Sequence, residues 1–306
     1  MVGTDSERTL TSGLYPPGVS CVHTINIFAS ADEQQLLTVA SSFASLPLDA
    51  YVRMLGKGHL LPELISGLPL VNYEQRRIAA LSRSLGLMCL TTPYKPLWDS
   101  QFQDKFTKEH WTQQSAGLDA DWFSRLTSEW SRNCALRSDL MRRQALLELD
   151  VLTAQAMGLD LQNLLTLYRL RFRVMRDYEV NTWYDQNGRI VFTPNGNGLP
   201  GVGLSRKKNS RDADEGITYR KNGYDVDTGG LGFEDVKNMK EGYVEKTFPD
   251  ISMSDEPQMT TVKYVAPFFQ MDREADYRRA WEVFEQRFGK VGGETSEPSA
   301  ETPSEI

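Results

Sequence analysis

The chain has little of what marks a secreted, metal-bound or membrane-spanning protein. Among 306 residues only three are cysteine: Cys21, Cys89 and Cys134. An odd, scattered set gives no disulfide framework and fits reduced thiols in a cytoplasm. Histidine is as scarce. His23, His59 and His110 lie far apart, with no cysteine at ligand spacing, which argues against a metal site. No apolar run approaches the roughly 20 residues needed to cross a bilayer. The opening MVGTDSERTLTSG lacks a basic stretch followed by an apolar one, so no export signal is expected and a cytoplasmic location is. No serine or cysteine has neighbours that would mark it as a nucleophile.

What is present is ordinary for a globular protein. Charged residues make up 25% and hydrophobic residues 40%, enough for a sizeable core in one or two domains. The net charge of −7 argues against indiscriminate nucleic-acid binding, which needs a basic surface. The acidity is uneven, however. Glu294, Glu297, Glu301 and Glu305 supply four of the seven excess charges within residues 291–306, where no basic residue occurs. That segment is expected to be a disordered acidic tail. Local basic patches elsewhere can still decide binding.

The pattern predicts an α+β protein, helical in its centre, with small β elements near the start and after residue 181. Residues 19–28 (VSCVHTINIF) read as a strand, introduced by Pro16, Pro17 and Gly18. Helical spacing appears at residues 31–43, 48–55 and 76–90. A stronger helix is expected over residues 138–157, with Leu140, Leu147, Val151 and Ala154 at helical spacing and Gly158 to stop it. Asp160 can cap the next helix, which is expected to run through Arg176. Trp183 and Tyr184, then Asn187-Gly188, then Ile190 to Phe192 carry the signature of a tight hairpin. Residues 195–203 read as a glycine- and proline-rich loop, residues 260–266 as a strand and residues 272–288 as a terminal helix. The expected division is 1–135, 136–290 and the tail 291–306.

One long stretch goes further. Residues 142–193 (RRQALLELDVLTAQAMGLDLQNLLTLYRLRFRVMRDYEVNTWYDQNGRIVFT) resemble the C-terminal, target-recognition portion of large adenine-specific DNA methyltransferases, of the kind found in type IIG-like restriction–modification and in BREX and DISARM phage defence. Four further segments carry the likeness in order: residues 7–26, residues 46–60 with 64–71, residues 232–248 (GFEDVKNMKEGYVEKTF) and residues 264–287 (YVAPFFQMDREADYRRAWEVFEQR). Such enzymes also use an acidic-plus-glycine loop for S-adenosylmethionine and an Asn/Asp-Pro-Pro-aromatic loop for the flipped adenine. Neither pattern occurs in this sequence. Tyr15-Pro16-Pro17-Gly18 has the wrong order and no amide or carboxylate before the prolines to accept the amino protons of a flipped base. Gly198, Gly201 and Gly203 do not lie between a clear strand and helix, so they do not read as a cofactor loop. The resemblance therefore implies a recognition unit without catalytic residues or a cofactor of its own. Its expected partners are double-stranded DNA and a catalytic methyltransferase subunit or domain that holds S-adenosylmethionine. Two other readings stay open: an inert fragment of a longer methyltransferase gene, and a protein-interaction scaffold in a defence complex.

The candidate DNA contacts are cationic. Arg169, Arg171, Arg173 and Arg176 form a run with no acid between them. On one continuous helix Arg169, Arg173 and Arg176 would share a face. Guanidinium forks match phosphate oxygens and displace counterions, although the same face would be equally at home in water or paired with Asp177 and Glu179. Arg206, Lys207, Lys208 and Arg211 lie in a polar segment that could track a backbone. Lys57 and His59 flank Gly58 in a loop within reach of phosphate or a base edge, or in a plain connection. Trp183, Tyr184 and Phe192 could stack on a displaced base, but hairpin aromatics usually pack across strands.

Overall fold

A computed structural model of the chain describes residues 6–22, 25–57, 59–194, 202–209, 211–226, 230–251 and 256–290. The expected acidic tail lies outside them. Among the described residues the helices are α1 (Glu33–Phe43), α2 (Leu46–Met54), α3 (Pro62–Ser66), α4 (Arg77–Met88), α5 (Lys95–Gln101), α6 (Asp139–Ala156), α7 (Leu161–Arg171), α8 (Arg173–Glu179) and α9 (Arg273–Phe288). The strands are β1 (Trp183–Tyr184), β2 (Ile190–Phe192), β3 (Thr218–Lys221), β4 (Tyr224–Asp225), β5 (Tyr243–Asp250) and β6 (Gln258–Val265). The architecture is α+β.

Local chemistry sets most helix starts. Asp32 accepts the Gln34 and Gln35 amides at the head of α1. Ser138 accepts Met141 N at α6, Asp160 accepts Asn163 N at α7, and Asp272 accepts the Glu274 and Ala275 amides at α9. Each side chain satisfies backbone donors that a helix leaves unpaired. Helix α6 is the axis of the helical body. It packs against α4, α9, α2 and α1, and its Leu140, Leu147, Leu149, Val151, Leu152 and Ala154 are completely buried. One hydrophobic core draws on residues from Leu10 to Phe284, on both sides of residue 135.

A second, smaller core forms around Val191, Phe192, Tyr219, Phe233, Val244 and Tyr264 beneath an antiparallel sheet ordered β4-β3-β5-β6. In β5 alternate residues turn inward: Val244, Lys246 and Phe248 are buried. Cross-strand pairs on the other face match in register, with Glu245 opposite Lys263 and Thr247 opposite Thr261.

Hairpin β1–β2 joins the two cores. Leu140 N donates to Gly188 O (2.9 Å), and Ile190 N donates to the Asp139 carboxylate (2.8 Å). Buried Asp185 accepts the amides of Asn187, Arg189 and Val265, so one carboxylate organises the turn and ties it to β6. Gly188 (φ +74°) presses on Gly117 (φ +77°); a Cβ on Gly188 would lie 2.6 Å from Gly117 O.

Three expectations need correction. Residues 19–22 and 25–28 form no strand, while His23 and Thr24 lie outside the described residues. The segment has β-branched residues but, among the described residues, no neighbouring strand to complete a ladder, and alternation alone does not make a sheet. The hairpin turn is not a two-residue Asn-Gly turn, because Asp185 to Arg189 form a five-residue connection with Gly188 in the left-handed region. Finally, the second helix of the central pair does not run through Arg176, because it breaks at Phe172.

Gly188→Ala is expected to destabilise the fold by about 2–4 kcal/mol, since it adds left-handed strain to a backbone clash that neither glycine can relieve. Urea unfolding of the variant beside wild type measures this.

Candidate nucleic-acid interface

The arginine run straddles the break in the central helix pair. No proline or glycine causes that break. Phe172 leaves helical geometry (φ −119°, ψ 52°) and is completely buried. Arg53 lies 4.2 Å above its ring and donates to Arg171 O at 2.7 Å. Core burial overrides helix propensity here. The interruption removes the premise that Arg169, Arg173 and Arg176 share a continuous face. Arg169 is an exposed side chain held by Glu274, with Nε donating to Oε1 at 2.8 Å. Arg173 is exposed with Asp177 3.9 Å away. Arg176 is half-buried and its Nε makes no hydrogen bond. Arg171 is exposed. The charge of Arg169 is thus balanced within the molecule, while Arg171 and Arg176 form no ion pair among the described residues.

The second basic segment differs. Arg206, Lys207, Lys208 and Arg211 are all exposed, and the ion pairs among the described residues involve other side chains. Its backbone is nevertheless fixed. Ser205 O accepts Phe233 N (2.8 Å), Arg206 O accepts Glu234 N (3.1 Å), and Asp212 N donates to Asn209 O (3.1 Å). The Arg206 guanidinium lies 5.3 Å over the Phe192 ring, which itself stacks on Phe233 at 4.9 Å. A set of free cations therefore projects from a loop pinned to the smaller core. Ser210 lies outside the described residues, as do Gly198 and Gly201.

Lys57 and His59 are exposed after α2, with Gly58 between them outside the described residues. Trp183 packs on Phe233 (5.4 Å) and Tyr184 on Phe269 (6.2 Å), so these aromatics are engaged in packing. The residues of this surface come from separate loops, and among the described residues no hydrogen bond or ion pair joins Lys57 or His59 to the segment at Arg206.

Sequence reasoning missed the charges buried beneath. Asp150 on α6 accepts Leu46 N (2.6 Å), Arg273 Nη2 (3.1 Å), the Tyr277 hydroxyl (2.7 Å) and Arg8 Nη2 (3.4 Å). Arg143 pairs with Glu179 and with Asp276 (2.8 Å), and Arg273 also reaches Glu179 (3.1 Å). A second cluster joins Arg83 to Glu148 and Glu109 (2.9 Å), and Glu109 in turn to Arg287 (2.5 Å). The signal was in the spacing. Arg143 and Asp150 interrupt the stripe that Leu147 and Ala154 continue, so their side chains had to face inward.

Burial raises the Glu179 carboxyl, but the Arg143 and Arg273 guanidiniums outweigh it and hold the group below the usual carboxylate range. Burial also raises the Asp276 carboxyl, and there it prevails over Arg143. Part of this network opens onto a polar cleft of about 380 Å³ between residues 7–8, α6, α8 and the hairpin. Among the described residues no group of three or more histidine, cysteine or acidic side chains could hold a metal ion, and no helix is long and apolar enough to cross a membrane.

Compared with models of known protein families, with curated proteins and with solved structures, the chain matches none.

Two outcomes test the network. Arg273→Met should destabilise the protein by about 3–5 kcal/mol, because Asp150 and Glu179 would lose a buried counter-charge; chemical denaturation reads this. Glu179 has a depressed folded-state pKa, so its contribution is present above the unfolded value near 4.5 and lost as pH falls through the folded one. Glu179→Gln should therefore be less stable near neutrality and lose less stability on acidification below about pH 4.5. Denaturant midpoints across pH 3–7 would contradict this if the two profiles ran parallel.

Proposed function

We propose that the chain is a DNA target-recognition unit of an adenine-specific DNA methyltransferase in a restriction–modification or phage-defence system. In this reading it grips duplex DNA while a separate catalytic subunit or domain binds S-adenosylmethionine and methylates the flipped base. The ordered likeness of five segments supports the assignment to that family. The observation that carries the DNA-binding part is the pinned loop with Arg206, Lys207, Lys208 and Arg211 exposed and, among the described residues, in no ion pair. Unpaired cations on a fixed backbone make phosphate contacts without first breaking internal bridges. The reading accordingly moves the main grip from the helical arginines, where Arg169 is held by Glu274, to this loop. Arg171, Arg173, Arg176, Lys57 and His59 become secondary contacts.

The net charge of −7 favours a localised grip, since a molecule acidic overall holds DNA only where cations are concentrated. The sequence contains neither the methyl-donor loop nor the catalytic loop of such enzymes, so bond-making is assigned to the partner.

Binding to a duplex of about 30 base pairs should weaken linearly on a log–log salt plot, with a slope near −0.9 per phosphate contact. Replacing Arg206, Lys207, Lys208 and Arg211 together by alanine should reduce that slope by about three to four, with only the small loss of stability that follows from removing Arg206 from the Phe192 ring. The chain alone should transfer no methyl group from S-adenosylmethionine to DNA. Salt-independent or absent duplex binding would favour a protein scaffold instead, and unaided methylation would overturn the division of labour.

A further inference from the structure

The polar cleft between the helical body and the hairpin has features that packing does not use. It is lined by Glu7 and Arg8 of the N-terminal segment, by Asp139, Arg142, Arg143 and Leu146 of α6, and by groups from α8, the hairpin and α9. Most of the charges are committed to one another. Arg143 and Arg273 share Glu179, Arg8 is spent on Ala44 O (2.9 Å) and Asp150, and Asp139 accepts Ile190 N. Two groups are not.

The first is Tyr184. Only 6% of this residue is exposed, and among the described residues its hydroxyl has no hydrogen-bond partner. The charges acting on that hydroxyl are Arg143, Glu179, Asp139 and Arg273, all of which line the cleft, so the hydroxyl belongs to its wall. The hydroxyl faces the open cleft, where it can donate to or accept from a bound molecule. The second group is Arg142. Its Nη1 donates to two backbone carbonyls, Leu87 O (3.0 Å) and Leu136 O (3.3 Å), which anchor the guanidinium, and the Asp139 carboxylate offsets part of its charge without forming an ion pair with it among the described residues. Its other nitrogens have no partner among the described residues and it makes no ion pair, although burial works against its charge. An anion in the cleft would restore what the side chain lost on leaving water.

We infer that this cleft is a binding site for a small anionic ligand of nucleotide size. Arg142 would take its phosphate and the Tyr184 hydroxyl would hydrogen-bond the rest of the molecule. The volume of about 380 Å³ suits such a ligand, because small-molecule sites run from about 300 to 1,000 Å³. Leu146, Ile190 and Val202 offer apolar surface for a flat ring. The same phosphate chemistry is presented by a free nucleotide and by a nucleotide within a single strand. The site does not depend on the chain gripping duplex DNA, since Arg206, Lys207, Lys208 and Arg211 are not among the residues that line it.

Isothermal titration of the full chain with adenosine 5′-monophosphate, adenosine and a short single-stranded oligoadenylate tests this. The expected result is saturable binding of the monophosphate or of the oligonucleotide, at least about tenfold weaker for adenosine. Tyr184→Phe removes a hydroxyl that has no hydrogen-bond partner among the described residues, and Arg142→Lys keeps the charge but not the fork. Each should weaken binding by about tenfold or more, with the melting temperature of Tyr184→Phe unchanged. Binding of the monophosphate identifies a free nucleotide as the ligand, and binding of the oligonucleotide alone identifies a strand. No binding of either at millimolar concentration, or binding indifferent to both substitutions, overturns the inference. Duplex binding by the same preparation is read separately, so failure of one reading does not pass for failure of the other.

Discussion

Helix α6 carries charge into the interior, and the arrangement of the helical body follows from the need to neutralise it. Arg143, Glu148 and Asp150 are buried on a helix packed by neighbours on several sides. An isolated buried charge is costly, while a paired and fully hydrogen-bonded one is tolerated. Each therefore dictates where another element must lie. Asp150 fixes the start of α2 through Leu46 N, draws α9 in through Arg273 and Tyr277, and holds the N-terminal segment through Arg8. Arg143 fixes the end of α8 through Glu179 and meets α9 again at Asp276. Glu148 receives Arg83 from α4 and the Thr112 amide and hydroxyl from the connection before α6. Apolar contacts supply the driving force, and the ionic contacts specify which surfaces meet.

Much of the fold was legible in the sequence where local chemistry decides the outcome. Asp32, Asp160 and Asp272 each sit at a helix start and cap it, and Gly158 follows the end of α6 as expected. The break at Phe172 was not legible, because it is caused by Arg53, 119 residues earlier in the chain. Strand β5 was missed even though it alternates, because its inward positions include Lys246, whose ammonium reaches Gly203 O at 3.2 Å. The β3–β4 turn left a clearer signal. Asn222-Gly223 adopts positive φ at both positions, as a tight hairpin turn requires. The strand anticipated at residues 19–28 had the composition without a partner strand.

The candidate interface was read from charge, and charge alone does not reveal pairing. Arg169 looked as available as Arg206, yet Glu274 lies far along the sequence and close in space. The structure separates cations balanced within the molecule from cations left to solvent, and four of the second class lie close together in sequence at Arg206, Lys207, Lys208 and Arg211 beside the smaller core. The helical body is organised by buried charge, while the loop beside the smaller core offers a run of cations outward.

Photocrosslinking tests that division most directly. A duplex carrying photoreactive groups along its phosphates would be bound to the full chain, irradiated, and the attached peptides identified by mass spectrometry. The account predicts that crosslinks concentrate on the segment containing Arg206, Lys207, Lys208 and Arg211, with weaker sites near Arg171 and Lys57. Crosslinks spread evenly over the surface, or absent from that loop while the duplex remains bound, would contradict it.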